Sequence, residues 1–120
     1  TIHAPLNDKT RGLIGKAELD KMKASAYLFN LGRGAIVDER ALVEALNENR
    51  LAGAGMDVFS TEPLPADHCY RRVTDKSKLF LTPHIAWASI EARKRLIAMM
   101  ADNISRYIAS RTGDRSRAGK

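Results

Sequence analysis

The 120 residues are enough chain for one domain with a buried core. A net charge of +6 implies an anionic partner only where the charge gathers on one face. Here Arg111, Arg115, Arg117 and Lys120 fall in a terminal stretch rich in Gly, Ser and Asp, and Arg93, Lys94, Arg95 and Arg106 fall on a helical segment, so a solvated face and tail is the expectation. Aromatics make up 6% of the residues, too scattered for a base-stacking platform, and no nucleic-acid partner is expected. No apolar run nears the length of a membrane span, and no membrane is expected. Cys69 is the single cysteine, which excludes an internal disulfide framework, gives no metal cluster, and fits a reducing, cytoplasmic compartment.

Thr1-Ile2-His3 reads as the tail of a strand already under way, so the chain is expected to be a piece whose preceding part lies elsewhere. Asn7-Asp8-Lys9-Thr10 is turn-like. Residues 16–23 have helical spacing, with Leu19 and Met22 on one side. Residues 26–30 read as a strand, followed by Gly32-Arg33-Gly34, where the glycines allow backbone shapes other residues resist. Asp38 is a good N-cap for a helix whose stripe is Ala41, Leu42, Ala45 and Leu46 and whose end falls at 47–49. Residues 54–58 form the next strand, with Gly53 and Gly55 marking close backbone approach. Residues 59–78 are a long connection containing Pro63 and Pro65, of the kind that often carries function. Residues 79–82 are a strand stopped by Pro83. Ser89 caps a long helix to about residue 109, with Ile90, Arg93, Leu96, Ile97, Met100, Ile104, Tyr107 and Ile108 along its stripe.

Strands alternating with helices predict an α/β fold with a parallel sheet, the second half of a Rossmann-like doubly wound sheet, ending in a long C-terminal helix. The expected division is 1–88 for the half-domain, 89–109 for a helix returning toward a substrate domain, and 110–120 for a disordered basic tail. The first half of such a fold would carry the Gly-rich phosphate loop, and no G-x-G-x-x-G occurs here.

Arg33, Glu62 and His84 each follow a strand. In an open parallel sheet, ligands bind outside the carboxyl ends of the strands. Arg clamps a carboxylate bidentately, His carries a proton near neutral pH, and a carboxylate can hold the His charged. By local sequence alone, Arg33 is equally a surface residue in a glycine turn, His84 a capping or core residue, Glu62 an exposed residue before Pro63, and Asp57 a strand-end cap.

The motifs around these residues narrow the choice. His3-Ala4-Pro5-Leu6 with Thr10, Asn30-Leu31-Gly32-Arg33-Gly34 running to Val37-Asp38-Glu39, Gly53-Ala54-Gly55-Met56-Asp57-Val58-Phe59 with Glu62-Pro63, and Thr82-Pro83-His84-Ile85-Ala86-Trp87 together resemble the D-isomer-specific 2-hydroxyacid dehydrogenase family. The resemblance spans residues 1 to about 109 and is nearest the glycerate dehydrogenase (hydroxypyruvate reductase) branch. It implies an oxidoreductase that transfers hydride between NAD, or NADP, and a short 2-oxo acid to give a D-2-hydroxy acid, with hydroxypyruvate or glyoxylate as substrate. It implies that Arg33 binds the substrate carboxylate, that His84 carries the proton, and that Glu62 stabilises the imidazolium and raises its pKa. It further implies cofactor contacts from His3, Ala4, Pro5, Thr10, Leu31, Gly32, Arg33, Asp57, His84 and Ala86, and a homodimer when the protein is full length. Trp87 is divided between the substrate mouth and ordinary packing. A different class, a dinucleotide-sensing co-repressor-like binding protein, is the alternative the same family admits.

The stretch His68-Cys69-Tyr70-Arg71-Arg72-Val73 departs from the family pattern, and His68 is expected as a loop residue with no metal role, because no second ligand lies at a metal-site spacing. Without the Gly-rich loop, the 120-residue piece alone is expected to have negligible dehydrogenase activity and weak dinucleotide affinity.

Overall fold

A computed structural model describes residues 1–112. It contains a compact unit, Thr1–Ala86, and a second unit that begins at Trp87. In chain order the main elements are α1 (Lys16–Leu19), β1 (Tyr27–Asn30), α2 (Glu39–Asn47), β2 (Gly53–Met56), β3 (Leu79–Leu81) and α3 (Ile90–Thr112). The three strands form a parallel sheet in the order β1-β2-β3. Ile2 adds a parallel bridge to Asn30 on the outer side of β1, which is the strand tail read from Thr1-Ile2-His3.

α2 forms where Asp38 stops the extended chain. Its carboxylate accepts from the amides of Arg40 (3.0 Å) and Ala41 (3.1 Å), satisfying two of the helix's open N–H groups. The stripe Ala41, Leu42, Ala45 and Leu46 is buried against Leu28, Ala54 and Met56 of the sheet, with Leu19, Leu51, Tyr70 and Val73 closing the cluster. The helix ends where Asn49 takes a left-handed φ of +57° and the Arg50 amide turns back to the Ala45 carbonyl (2.8 Å).

β2 reads Gly-Ala-Gly-Met for a packing reason. A Cβ on Gly55 would lie 2.6 Å from Phe29 Cδ1, and one on Gly53 would lie 3.0 Å from Tyr27 Cε1. The two rings lie over the neighbouring strand, and with Phe80 they remain exposed. Within Thr1–Ala86 the buried core lies on the opposite face, that of Leu28, Ala54 and Met56.

Several boundaries differ from those predicted. α1 stops at Leu19, four residues short of 23, because the chain breaks into successive turns: Met22 N bonds Leu19 O, and Ala26 N bonds Lys23 O. One helical turn adds too few hydrogen bonds to propagate itself. β2 covers 53–56, not 54–58: the Asp57 amide still bonds the Asn30 carbonyl of β1 (3.0 Å), but its carbonyl and side chain bond the turn after β3. The connection 59–78 is not structureless: it holds 3₁₀ turns at Cys69–Arg72 and Lys76–Lys78. α3 starts as read, with Ser89 Oγ accepting from the Ala92 amide (3.2 Å), and runs to Thr112, three residues beyond 109. Its apolar residues Ile90, Leu96, Ile97, Met100, Ile104, Tyr107 and Ile108 are all exposed. The rest of the expected basic tail, including Arg115, Arg117 and Lys120, lies outside the described residues.

Candidate functional site

The strands present their carboxyl ends at one edge, and each is followed by a tightly bonded turn. After β1, buried Asn30 organises the chain: its Oδ1 accepts from the Gly32 amide (3.1 Å) and its Nδ2 donates to the Arg33 carbonyl (2.9 Å). Arg33 projects from this turn, exposed, with Nη1 donating to the Gly32 carbonyl (2.8 Å). Gly34 is the contact between the first and second turns. A Cβ there would fall 1.9 Å from the Phe59 carbonyl carbon, so only glycine allows the two backbones to meet.

The second turn delivers Glu62. Its Oε1 accepts from the Phe59 amide (3.0 Å), which curls residues 59–62 back on themselves, and its Oε2 meets His84 Nδ1 at 2.9 Å. The Phe59 amide foremost, and then the His84 hydrogen bond, hold the Glu62 carboxyl below its ordinary value against the opposing effect of burial; the charges of His84 and Arg33 add to this.

The third turn delivers His84 in a left-handed conformation, φ +57°. Such a conformation costs a non-glycine residue free energy and persists where surrounding bonds over-determine it. Here they come from Asp57, buried immediately after β2. The Asp57 carbonyl accepts from the His84 amide (2.7 Å). Its Oδ1 accepts from Thr82 Oγ1 (2.6 Å) and the Ile85 amide (2.9 Å), and Oδ2 accepts from the Ala86 amide (2.9 Å). Burial works hardest on this carboxyl and opposes its ionisation. The Thr82 hydroxyl and the Ala86 and Ile85 amides, with the charge of His84, together outweigh burial and hold the pKa below its ordinary value.

Arg33, Glu62 and His84, set 22 to 51 positions apart along the chain, line one cavity of about 290 Å³ whose walls include Leu6, Ala35 and Phe59. Of the other sequence-predicted residues, His3, Ala4 and Pro5 run beside Leu31 and Gly32: Leu31 N bonds Ile2 O (3.0 Å), and a Cβ on Gly32 would lie 2.7 Å from Ala4 O. Leu31, Pro5 and Ala86 are exposed there. Thr10 does something local: its hydroxyl donates to the Pro5 carbonyl (2.7 Å) and accepts from the Asn7 amide (2.9 Å), closing the turn below. Trp87 is exposed and begins the second unit.

Two residues whose supporting role the sequence does not show hold the turns of the site. Glu39, nearly buried, accepts from the Ser60 amide (2.9 Å) and the Ser60 hydroxyl (2.5 Å), and so pins the turn that carries Glu62. His68 is not simply a loop residue. Its Nδ1 accepts from the Tyr70 amide (3.3 Å), capping a 3₁₀ turn, while Nε2 meets Glu39 Oε2 at 3.2 Å. An acidic residue in the first turn of a helix reads as solvated and favourable to the helix dipole, and no local signal marks Glu39 as a clamp on a segment 21 residues away.

Comparison with known proteins agrees with this geometry. Residues 1–86 match the family model described as "D-isomer specific 2-hydroxyacid dehydrogenase, NAD binding domain". The chain is 43% identical over 111 residues to a glycerate dehydrogenase of Methylorubrum extorquens, covering 92% of this chain and 35% of that one. It is 48% identical over 104 residues to a glyoxylate reductase of Thermofilum pendens, covering 87% and 30%. Among solved structures, the NAD-complexed D-isomer specific 2-hydroxyacid dehydrogenase of Lactobacillus delbrueckii ssp. bulgaricus superposes with a TM-score of 0.75 at 30% identity, over 96% of this chain and 37% of that one. The chain thus spans about a third of the length of the curated relatives it matches. With the parallel sheet and its three strand-end turns, these matches establish that the chain belongs to the D-isomer specific 2-hydroxyacid dehydrogenase family, within its NAD-binding domain.

Proposed function

We propose that this chain is the catalytic-edge portion of a dehydrogenase that reduces a short 2-oxo acid, hydroxypyruvate or glyoxylate, to the D-2-hydroxy acid. The observation that carries the reading is the 2.9 Å contact of His84 Nδ1 with Glu62 on the cavity that Arg33 also lines. Arg33 keeps donors beyond the one spent on Gly32, and a planar guanidinium matches a carboxylate in two parallel hydrogen bonds. That grip aligns the adjacent ketone and draws electron density from it. A bound nicotinamide cofactor supplies the hydride. The remaining task is protonic: the alkoxide oxygen needs a proton, and the reverse reaction needs a base. With Nδ1–H directed to Glu62, His84 Nε2 is the nitrogen that gives or takes that proton. Glu62 fixes the orientation of the ring through its 2.9 Å contact with Nδ1.

The edge suits the nicotinamide end of the cofactor. Leu31, Pro5 and Ala86 offer exposed apolar surface, and Asp57 holds the turn that presents Ala86 there. His3, Ala4, Thr10 and Gly32 border it through backbone and turn. The reading extends to a homodimer, supported by the exposed apolar stripe of α3, and to a cytoplasmic setting, supported by the single free thiol. The test is NADH oxidation by the full-length protein with hydroxypyruvate and with glyoxylate. Turnover giving D-glycerate supports the proposal, and inactivity on every short 2-oxo acid with both NADH and NADPH sinks it.

A further inference from the structure

Away from the Arg33–Glu62–His84 cavity, a second group of chemically capable side chains converges. Glu39 comes from the first turn of α2, and His68 and Cys69 come from the 3₁₀ turn at Cys69–Arg72. One ligand atom from each lies within 4.8 Å of the others. His68 Nε2 is 3.2 Å from Glu39 Oε2, and Cys69 Sγ is 3.8 Å from His68 Nδ1. The His68 and Glu39 side chains are only 8% and 9% exposed, so the arrangement is built into the fold and not scattered over a surface. All three face a cleft of about 400 Å³ that Asp38, Arg40 and Asp67 also line.

We infer that Glu39, His68 and Cys69 form a binding site for a divalent ion of the zinc type. The donor chemistry selects the ion: thiolate and imidazole exclude magnesium and calcium, which take oxygen ligands, and a mixed sulfur, nitrogen and carboxylate set suits zinc. The spacing suits it too. Donors sharing a tetrahedral zinc with bonds of about 2.0–2.3 Å stand about 3.3–3.8 Å apart; the Nε2–Oε2 pair stands at 3.2 Å, and the three donor atoms lie within 4.8 Å of one another. Two anionic ligands and a neutral imidazole balance the ion's charge.

The protons balance as follows. Without an ion, the Nε2–H tautomer donates to Glu39, and Nδ1 accepts the long 3.3 Å contact from the Tyr70 amide. An ion between Nε2 and the carboxylate takes the place of that hydrogen, the ring carries its proton on Nδ1 instead, and the Tyr70 contact is given up. The thiol proton leaves to solvent, so one proton is released per ion bound.

A separate observation points to a ligand at this place. Tyr70 Oη is the one buried side-chain polar atom without a hydrogen-bond partner among the described residues. The Tyr70 ring packs on that of His68, with centroids 4.8 Å apart. A buried orphan hydroxyl calls for a partner, and a water in the open position of a three-ligand ion is a partner of the right kind.

The test is a titration of untagged, reduced protein with cobalt(II), followed by zinc competition against a chromophoric chelator. The expected result is a near-ultraviolet thiolate-to-cobalt charge-transfer band that saturates at one ion per chain. Cys69→Ser abolishes the band, and His68→Gln weakens zinc binding about 10-fold or more. Because Glu39 also pins Ser60, Glu39→Gln is read only beside its circular dichroism, and His68→Gln carries the test if it misfolds. Absence of the band while a thiol assay finds Cys69 reduced overturns the inference, as does zinc affinity unchanged in a folded His68→Gln protein.

Discussion

Replacing Glu62 by Gln removes one charge and little volume. Both carboxylate oxygens are committed, Oε1 to the Phe59 amide at 3.0 Å and Oε2 to His84 Nδ1 at 2.9 Å. Gln has one carbonyl oxygen, so either the Phe59 amide or the imidazole faces an NH₂ group. The size of the charge effect follows from exposure. The His84 and Glu62 side chains are 40% and 36% accessible, so solvent screens the pair and its worth is about 1 kcal/mol, the upper part of the exposed range. At about 1.36 kcal/mol per factor of ten, that lowers kcat/KM for keto-acid reduction about 5-fold. The assay is kcat/KM for hydroxypyruvate with NADH, for the full-length protein and its Glu62→Gln variant. An unchanged kcat/KM, in a variant with unchanged circular dichroism, refutes the pairing.

Gly34→Ala forces a Cβ to 1.9 Å from the Phe59 carbonyl carbon, so the turn carrying Glu62 has to move; a loss of about 1–3 kcal/mol in urea denaturation is expected, and an unchanged midpoint contradicts the close approach. Tyr70→Phe removes an orphan hydroxyl and is expected to leave stability unchanged or raise it by up to about 1 kcal/mol in metal-free protein; a loss of that size shows that the hydroxyl has a partner. The carboxyls of Asp57 and Glu62 sit below their ordinary values in the fold, so they add stability above the unfolded values of about 3.9 and 4.3, and it is lost as pH falls through the folded ones. Thermal scans from pH 6 downward are therefore expected to show a falling Tm below about pH 4, and a Tm that holds steady or rises on acidification contradicts the sign.

What the sequence made legible was what depends on short spacing. Asp38 and its stripe specify α2 within a dozen residues, and β3 ends at Leu81, one residue short of the 82 expected from Pro83. The strand ends placed Arg33, Glu62 and His84 on one edge because a parallel sheet puts all its carboxyl ends together. The supports were not legible. Glu39 reaches Ser60 and His68 across 21 and 29 residues, and nothing near position 39 announces either partner. Asp57 reads as a strand-end cap, but which turn it anchors, the one that holds His84 at positive φ, appears only once β2 and β3 are paired. Helical spacing over residues 16–23 predicts more of α1 than the single turn that forms, because spacing says nothing about whether the chain can sustain a second turn.

The most direct test of the central claim is steady-state reduction of hydroxypyruvate by NADH with the full-length protein and its His84→Gln and Arg33→Lys variants. A proton carrier and a carboxylate clamp fail differently. His84→Gln is expected to lower kcat by about 10²–10⁴ with KM little changed, and Arg33→Lys, which loses the bidentate fork, to raise KM for the keto acid. Wild-type kcat in His84→Gln, with Arg33→Lys equally unaffected, would contradict the assignment of this edge as the catalytic site.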